Sequence, residues 1–283
     1  MRRIFLILNA FALFSGIVSG QDVQYKFSQE KPLAYSFKME GDVSYQYEGA
    51  PEEDFKVLAK GGITLDTLGI KEDSYNVRLT PSRTLMQLNN MVLEDITAQE
   101  TAVSQVISTA VLEIRKNGEI SSTQEVKPGI LNLSQILMIM PVFPHDIRSG
   151  KSWKQVLPAF SLPGVPMCNL EFTYLYTRGT GDASRIGLIS NQRINEKRKD
   201  GEMEVDFTGL NSSKGEFIFD EVKGEIRNFK GAINLDLQTV FKVPPGAGKE
   251  FSTRQSPPLR MRIRINVTLS APDRLQSQKA SKE

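Results

Sequence analysis

The sequence is poor in the side chains that carry most protein chemistry. Its 283 residues include one cysteine (Cys168), one histidine (His145) and one tryptophan (Trp153). One cysteine cannot form an internal disulfide, so a hydrophobic core must stabilise the fold. One histidine and one cysteine also cannot supply the usual nitrogen and sulfur ligands of a zinc or iron site. The sequence therefore predicts neither a metal nor a cofactor.

Long apolar runs are absent beyond residue 20. Residues 1–20 begin Met-Arg-Arg, continue as an apolar stretch and end in Ser19-Gly20, a layout typical of a secretory signal peptide. The apolar stretch contains Asn9 and is shorter than the ~20 residues of a membrane-spanning helix. We therefore predict cleavage near Gly20, a periplasmic or secreted location, and no transmembrane segment after cleavage.

The predicted mature chain has no excess of charge of either sign. Two of the 35 basic residues, Arg2 and Arg3, lie in the predicted signal peptide, which contains none of the 33 acidic residues. A neutral surface lacks the basic patch that binds a phosphate backbone. Nucleic acid is therefore not an expected partner.

What the sequence does contain is alternation of apolar and polar residues. The clearest example is 259–270, where Arg260, Arg262 and Arg264 alternate with apolar residues. Repeated alternation with short polar turns predicts antiparallel sheet. We expect hairpin turns at Gly41-Asp42 and at Asn117-Gly118. The predicted fold is mainly β, either one strongly curved antiparallel sheet or two similar β-rich halves, with one or two short helices.

The helices are predicted where the apolar spacing changes. One segment, 96–110, spaces its apolar residues by seven, three, one and three positions, as on one helix face. A second, 130–140, has a similar spacing and ends at Pro141, which cannot continue a helix.

The segment 130–153 divides two β-rich regions. We predict a signal peptide at 1–20, an N-terminal half at 21–129, a helix-plus-loop junction at 130–153, a C-terminal half at 154–271 and a disordered tail at 272–283. Residues 111–120 and 217–226 share Gly-Glu-Ile after an apolar lead-in, with Gly118 matching Gly224. This match predicts an internal repeat in which both glycines serve equivalent turns.

Two short patterns carry a resemblance. They are Pro141, Pro144, Gly150 and Trp153 in the junction, and Gly215, Phe217, Phe219 and Asp220 in the second half. With the signal peptide and the two halves, they make the chain resemble an uncharacterised family of exported bacterial β-rich proteins. In outline it is also similar to the half-barrels of periplasmic lipoprotein carriers. The first resemblance implies no reaction, and the second implies acyl-chain binding against a curved sheet.

Candidate catalytic residues are few. Residues 149–152, Ser-Gly-Lys-Ser, end like a phosphate-binding loop, but His145 stands where that loop needs a glycine. His145 and Asp146 are adjacent, so they cannot easily serve one proton path, and no nucleophile-elbow sequence is present. Cys168 is expected to be a core residue rather than a reactive thiol. The sequence favours a protein that is not an enzyme.

Three functions stay open at this point. The favoured one is an exported binding protein for an apolar ligand, a lipid or an envelope protein. The second is a structural or interaction module with a filled core, and the third is an exported hydrolase. Arg260, Arg262 and Arg264 form either a docking stripe for an acidic partner or anionic headgroups, or a ladder with Glu202, Glu204 and Asp206; we favour the stripe. Trp153 is expected to be mostly buried at the junction.

Overall fold

A computed structural model describes most of the chain after the predicted signal peptide. The described residues are 22–89, 91–94, 105–127, 129–131, 137, 139–157, 161–162, 165–166, 168–179, 181–200, 203–242 and 256–272. They form strands β1 Leu33–Tyr47, β2 Glu53–Ile70, β3 Ser74–Leu88, β4 Met91–Glu94, β5 Gln105–Ile107, β6 Thr109–Arg115, β7 Ile120–Lys127, β8 Gly129–Leu131, β9 Ser152–Leu157, β10 Ser161–Leu162, β11 Val165–Pro166, β12 Leu170–Arg178, β13 Ala183–Ile189, β14 Gln192–Asp200, β15 Met203–Asn211, β16 Lys214–Asp220, β17 Glu225–Lys242 and β18 Leu259–Ser270.

Fourteen of these strands form one antiparallel sheet. Its main path runs β7-β6-β3-β2-β1-β18-β17-β16-β13-β12-β9, with β4 beside β3 and the β14–β15 hairpin beside β17. The central strand β18 pairs with β1 on one side and with β17 on the other, and so joins the two β-rich regions. Within the described residues no strand joins β7 to β9, so the sheet is open. The prediction of a mainly β, antiparallel sheet is confirmed.

The two regions have the same strand order. Each is a five-stranded meander, β1-β2-β3-β6-β7 and β9-β12-β13-β16-β17. Each ends in a hairpin whose second strand has one extra, unpaired residue. In the first hairpin this is Ser121, between the partners of Ile114 and Glu113. In the second it is Arg227, between the partners of Phe219 and Ile218. Ser121 and Arg227 are separated by the same number of residues as Gly118 and Gly224. This correspondence supports the predicted duplication, which stays a prediction.

The hairpin predicted at Gly41-Asp42 is wrong, because both residues lie inside the continuous strand β1. The glycine serves close packing rather than a turn. A Cβ atom at Gly41 would lie 1.8 Å from the carbonyl oxygen of Arg264 on β18. Gly41 therefore allows β18 to approach β1 closely. The turn predicted at Asn117-Gly118 is confirmed, with Gly118 at a φ of 97°.

The predicted helices are not found in the described residues, where only Leu137 is helical. Residues 105–107 and 109–110, which belong to the predicted helix 96–110, lie in strands β5 and β6. Val106 and Ile107 are β-branched, and pairing of β5 with β8 and of β6 with β3 and β7 outweighs the spacing. The second helix was predicted to begin at Ile130, but this residue lies in strand β8. Residues 95–104, 132–136 and 138, as well as 1–21 and 273–283, lie outside the described residues.

Candidate functional site

The inner face of the sheet, on which the alternating apolar side chains lie, is the surface that could hold an apolar ligand. Phe37 and Met39 of β1, Ile63 of β2, Phe217 of β16 and Val267 of β18 are all buried there. They come from strands on both sides of the central β18. Together they form an apolar floor that both halves of the sheet share.

Residues 22–28, here called the strap, cross one end of this floor. The backbone N–H of Tyr25 donates to the carbonyl oxygen of Lys116 at 2.7 Å, in the β6–β7 turn. The next N–H, that of Lys26, donates to the carbonyl oxygen of Gly224 at 2.9 Å, in the β16–β17 turn. The strap therefore links the two corresponding turns and curls one half of the sheet towards the other.

The strap buries alternate side chains, Val23, Tyr25 and Phe27. The Tyr25 ring lies 5.4 Å from that of Phe143 and 5.3 Å from that of Phe219, the latter edge-on. Its hydroxyl donates to the carbonyl oxygen of Pro141 at 3.1 Å. Burial raises the pKa of Tyr25 well above its usual value. Tyr25 is thus a neutral side chain that ties three parts of the chain together.

Residues 137 and 139–143, here called the roof, cover the floor beside the strap. Leu137 and Ile139 are buried against it. The hydroxyl of Tyr174 donates to the carbonyl oxygen of Ile139 at 2.7 Å. The Gln155 side chain donates to the carbonyl oxygen of Met140 at 3.1 Å and accepts from the N–H of Val142 at 2.9 Å. Side chains of β12 and β9 therefore hold the roof in place.

Little space remains between roof and floor. Two enclosed apolar cavities in the described residues have volumes of about 30 and 10 Å³. The larger lies against Phe37, Met39 and Leu137. Binding pockets for small molecules are typically roughly 300–1,000 Å³. Within the part of the chain that the structure describes, the strap and roof thus fill the inner face and leave no preformed space for an acyl chain.

The predicted junction residues lie at the roof and at the turn before β9. Pro141 supplies the carbonyl that Tyr25 binds, and Gly150 has a φ of 85° at the turn before β9. Pro144 is half-buried. Trp153, expected to be mostly buried, is also half-buried, and its ring stacks on Tyr174 at 5.4 Å. Its indole N–H is shielded from solvent and has no hydrogen-bond partner among the described residues.

In the segment that ends like a phosphate-binding loop, residues 149–152, the lysine side chain binds nearby backbone carbonyls. The ammonium of Lys151 donates to the carbonyl oxygens of His145 at 3.2 Å and Asp146 at 3.4 Å. Both of these residues are exposed, whereas Cys168 is completely buried. Burial raises the pKa of the Cys168 thiol to about 11, with a smaller contribution from Glu196. The described structure therefore does not bring the single histidine and the single cysteine together.

The arginine row lies on the outer face and is largely paired. The guanidinium of Arg260 binds both carboxylate oxygens of Asp236 on β17, at 3.2 and 2.8 Å. Arg262 lies 3.1 Å from a carboxylate oxygen of Glu52, which also accepts a hydrogen bond from Ser44 at 2.7 Å. Arg264 has no ion pair among the described residues. A docking role for this stripe stays a prediction, but its charge is mostly compensated.

The alternative ladder between the arginines and the acidic row does not form. Strand β15, which carries Glu204 and Asp206, is separated from β18 by β17. Asp206 pairs instead with Lys242 of β17, at 2.5 Å. Glu202 lies outside the described residues. The expectation that the two rows do not meet is confirmed for the part of the acidic row that the structure describes.

Two polar clefts on the outer face were not predicted. Their volumes are about 460 and 430 Å³, and the Glu52–Arg262 pair lines the second. The first is lined by Gln46, Glu48, Thr208, Gly209, Asp236, Gln238, Pro258 and Arg260; the second by Asp42, Ser44, Glu52, Asp54, Lys56, Asn89, Arg262 and Arg264. Alternation in β18 predicted that the arginines share one face, but no local pattern shows which strands flank them.

Comparisons with known proteins give no relative. No protein-family model matches the chain, and no curated protein matches it significantly. Among the described residues no helix is long and apolar enough to cross a membrane. The same residues contain no group of three or more histidine, cysteine, aspartate or glutamate side chains placed to hold a metal ion.

Proposed function

We propose that this protein is an exported, non-enzymatic binding protein that acts through its outer surface, by adding an extended segment of a protein partner to strand β9. The observation that carries the proposal is the filled inner face. Because the roof and strap leave cavities of only about 30 and 10 Å³, an apolar ligand would have to displace buried residues of the protein itself. The interaction module is therefore favoured over the lipid carrier.

Among the described residues, strand β9 is an open edge of the sheet. The Tyr176 N–H donates to the carbonyl oxygen of Lys151 at 3.0 Å, and the Gly150 N–H donates to that of Tyr176 at 2.8 Å. In an antiparallel pair, alternate residues then direct their backbone groups towards the partner strand. By this alternation the backbone N–H and C=O groups of Trp153 and Gln155 point towards β12. The backbone groups of residues 152, 154 and 156 point away from the sheet. No described residue pairs with these groups, so they can pair with a strand of another protein.

The outer face beside this edge carries exposed apolar side chains. Val156 on β9, Leu175 on β12 and Ile189 on β13 are 56%, 44% and 59% exposed. Leu175 is opposite Gly187, two residues from Ile189, so these two side chains are diagonal neighbours. An added strand would bring its own outward side chains next to Val156. A segment with apolar residues on that face fits this edge best.

Hydrolase activity receives no support from the geometry. His145 is exposed, Cys168 is buried with a raised thiol pKa, and Ser184 beside Glu221 is completely buried. A nucleophile needs both a base within hydrogen-bond reach and access to substrate.

Photo-crosslinking in the native host tests the β9 surface. We expect a photoreactive residue at Val156, Leu175 or Ile189 to crosslink to one common protein. Matched controls are the exposed apolar residues Val126, Leu210 and Val222, which are 54%, 43% and 61% exposed on other parts of the surface. Crosslinking should disappear when Val156→Pro removes a backbone donor from the edge. Equal crosslinking at test and control positions, or none at the test positions, would refute the proposal.

A further inference from the structure

The two outer clefts lie next to each other along the central strands. Arg260 lines the first cleft, and Arg262 and Arg264 line the second, on one face of β18. Residues 260–264 span about 14 Å at the usual rise of a strand. We refer to the two clefts together as the trough. Its volumes of about 460 and 430 Å³ are in the range of ligand-binding sites, unlike the cavities of the inner face.

The trough is polar but nearly balanced in charge. It contains four cationic side chains, Lys56, Arg260, Arg262 and Arg264, and five carboxylates, Asp42, Glu48, Glu52, Asp54 and Asp236. Opposite charges also alternate across the strands, since Asp42 is the register partner of both Arg264 and Lys56. A surface of this kind does not attract a polyanion.

The paired groups in the trough are already oriented for hydrogen bonding. Asp236 accepts hydrogen bonds from two nitrogens of the Arg260 guanidinium. Glu52 forms an ion pair with Arg262 and accepts a hydrogen bond from the Ser44 hydroxyl. Each guanidinium has five N–H donors and each carboxylate about four acceptor sites, so both retain capacity for a ligand. Such fixed donors and acceptors suit a ligand that offers both in return.

Further polar groups in the trough have no partner in the described structure. The Gln238 amide and the Thr208 hydroxyl are exposed and make no hydrogen bond there. Gly209 lies beside Thr208 and adds no side chain to the wall. The donors and acceptors of Gln238 and Thr208 therefore face solvent in the first cleft.

We propose that the trough binds a neutral, hydroxyl-rich chain, namely an oligosaccharide, lying across β1, β18 and β17. Sugar hydroxyls both donate and accept hydrogen bonds, which matches the mixed groups of the trough. A neutral ligand also leaves the ion pairs of Arg260 and Arg262 intact, whereas an anionic one would compete with Asp236 and Glu52. This site is independent of the β9 edge, because β16, β13 and β12 separate β9 from the central strands.

Saturation-transfer NMR with three neutral probes, maltohexaose, cellohexaose and the hexamer of N-acetylglucosamine, tests the trough. We expect at least one of them to bind the wild-type protein. Thr208→Ala combined with Gln238→Ala should weaken that binding by about tenfold, since each removes a hydrogen bond worth ~0.5–1.5 kcal/mol. The matched control, Thr123→Ala with Gln124→Ala on β7, changes the same exposed residue types and should leave the affinity unchanged.

Three outcomes would overturn the proposal. They are binding of none of the three probes, equal affinity of the two double variants, and binding of a heparin hexasaccharide in preference to every neutral probe. Circular dichroism of each variant identifies loss of folding, and because all four side chains are exposed, both double variants are expected to fold. None of these outcomes bears on the β9 crosslinks, so failure of one proposal is distinguishable from failure of the other.

Discussion

Replacing Gly41 with alanine is expected to lower the free energy of unfolding by more than about 3 kcal/mol, beyond the usual range for added core volume. The new Cβ would lie 1.8 Å from the carbonyl oxygen of Arg264 and 2.8 Å from the Cα of Ile265. Both are backbone atoms of β18 and cannot rotate away as a side chain can. Relief therefore requires β1 and β18 to separate, and this pairing joins the two halves of the sheet. Urea denaturation followed by circular dichroism measures the effect.

Gly69→Ala is the matched control. Gly69 also lies within a strand, β2, but a Cβ there would meet nothing closer than the Asn76 side-chain amide at 3.9 Å. We expect its free energy of unfolding to change by less than about 1 kcal/mol. If the two alanine variants are equally stable, β1 and β18 do not approach each other as described.

Tyr25→Ala is expected to cost ~3–5 kcal/mol, the usual range for truncating a large buried aromatic. The ring packs against Phe143 and Phe219, and the hydroxyl binds Pro141. Its loss would open a cavity at the point where the strap, the roof and the second half of the sheet meet. The midpoint and slope of a urea titration give the change in free energy.

Tyr25→Phe separates the hydroxyl from the ring. It removes only the hydrogen bond to Pro141 and should cost about 0.5–1.5 kcal/mol. If Tyr25→Ala were as stable as Tyr25→Phe, the strap would be a loosely attached segment and not part of the core.

The sequence predicts the strands well where alternation is long and one face is polar. In 259–270 three arginines define the outer face, and the structure places Met261, Ile263 and Val267 on the inner one. The turn at Gly118 was also predictable, because Asn-Gly between strands favours φ above zero at the glycine. Both signals come from neighbours in the chain, and at these two places the tertiary contacts agree with them.

Errors arose where distant contacts determine the local structure. Gly41 resembles a turn residue, and only its approach to Arg264, far away in the chain, explains it. In 105–110 the helical spacing was likewise outweighed by pairing of β5 with β8 and of β6 with β3 and β7. Propensity is a weak prior when cross-strand partners are available.

The candidate sites were less predictable than the fold. Alternation of Val23, Tyr25 and Phe27 is visible in the sequence and was a missed signal for the strap. The trough has no such signal, since its walls come from β1, β2, β15, β17 and β18, whose order in the sheet differs from their order in the chain. The acids that compensate Arg260 and Arg262 were therefore not predictable from β18 alone.

Native mass spectrometry of the protein purified from its own host tests the central claim most directly, namely that its own strap and roof fill the inner face. We expect no lipid in the native mass and none released when the protein is unfolded. A stoichiometric lipid, bound in the native state and released on unfolding, would contradict it, because cavities of about 30 and 10 Å³ cannot hold an acyl chain while the roof is in place.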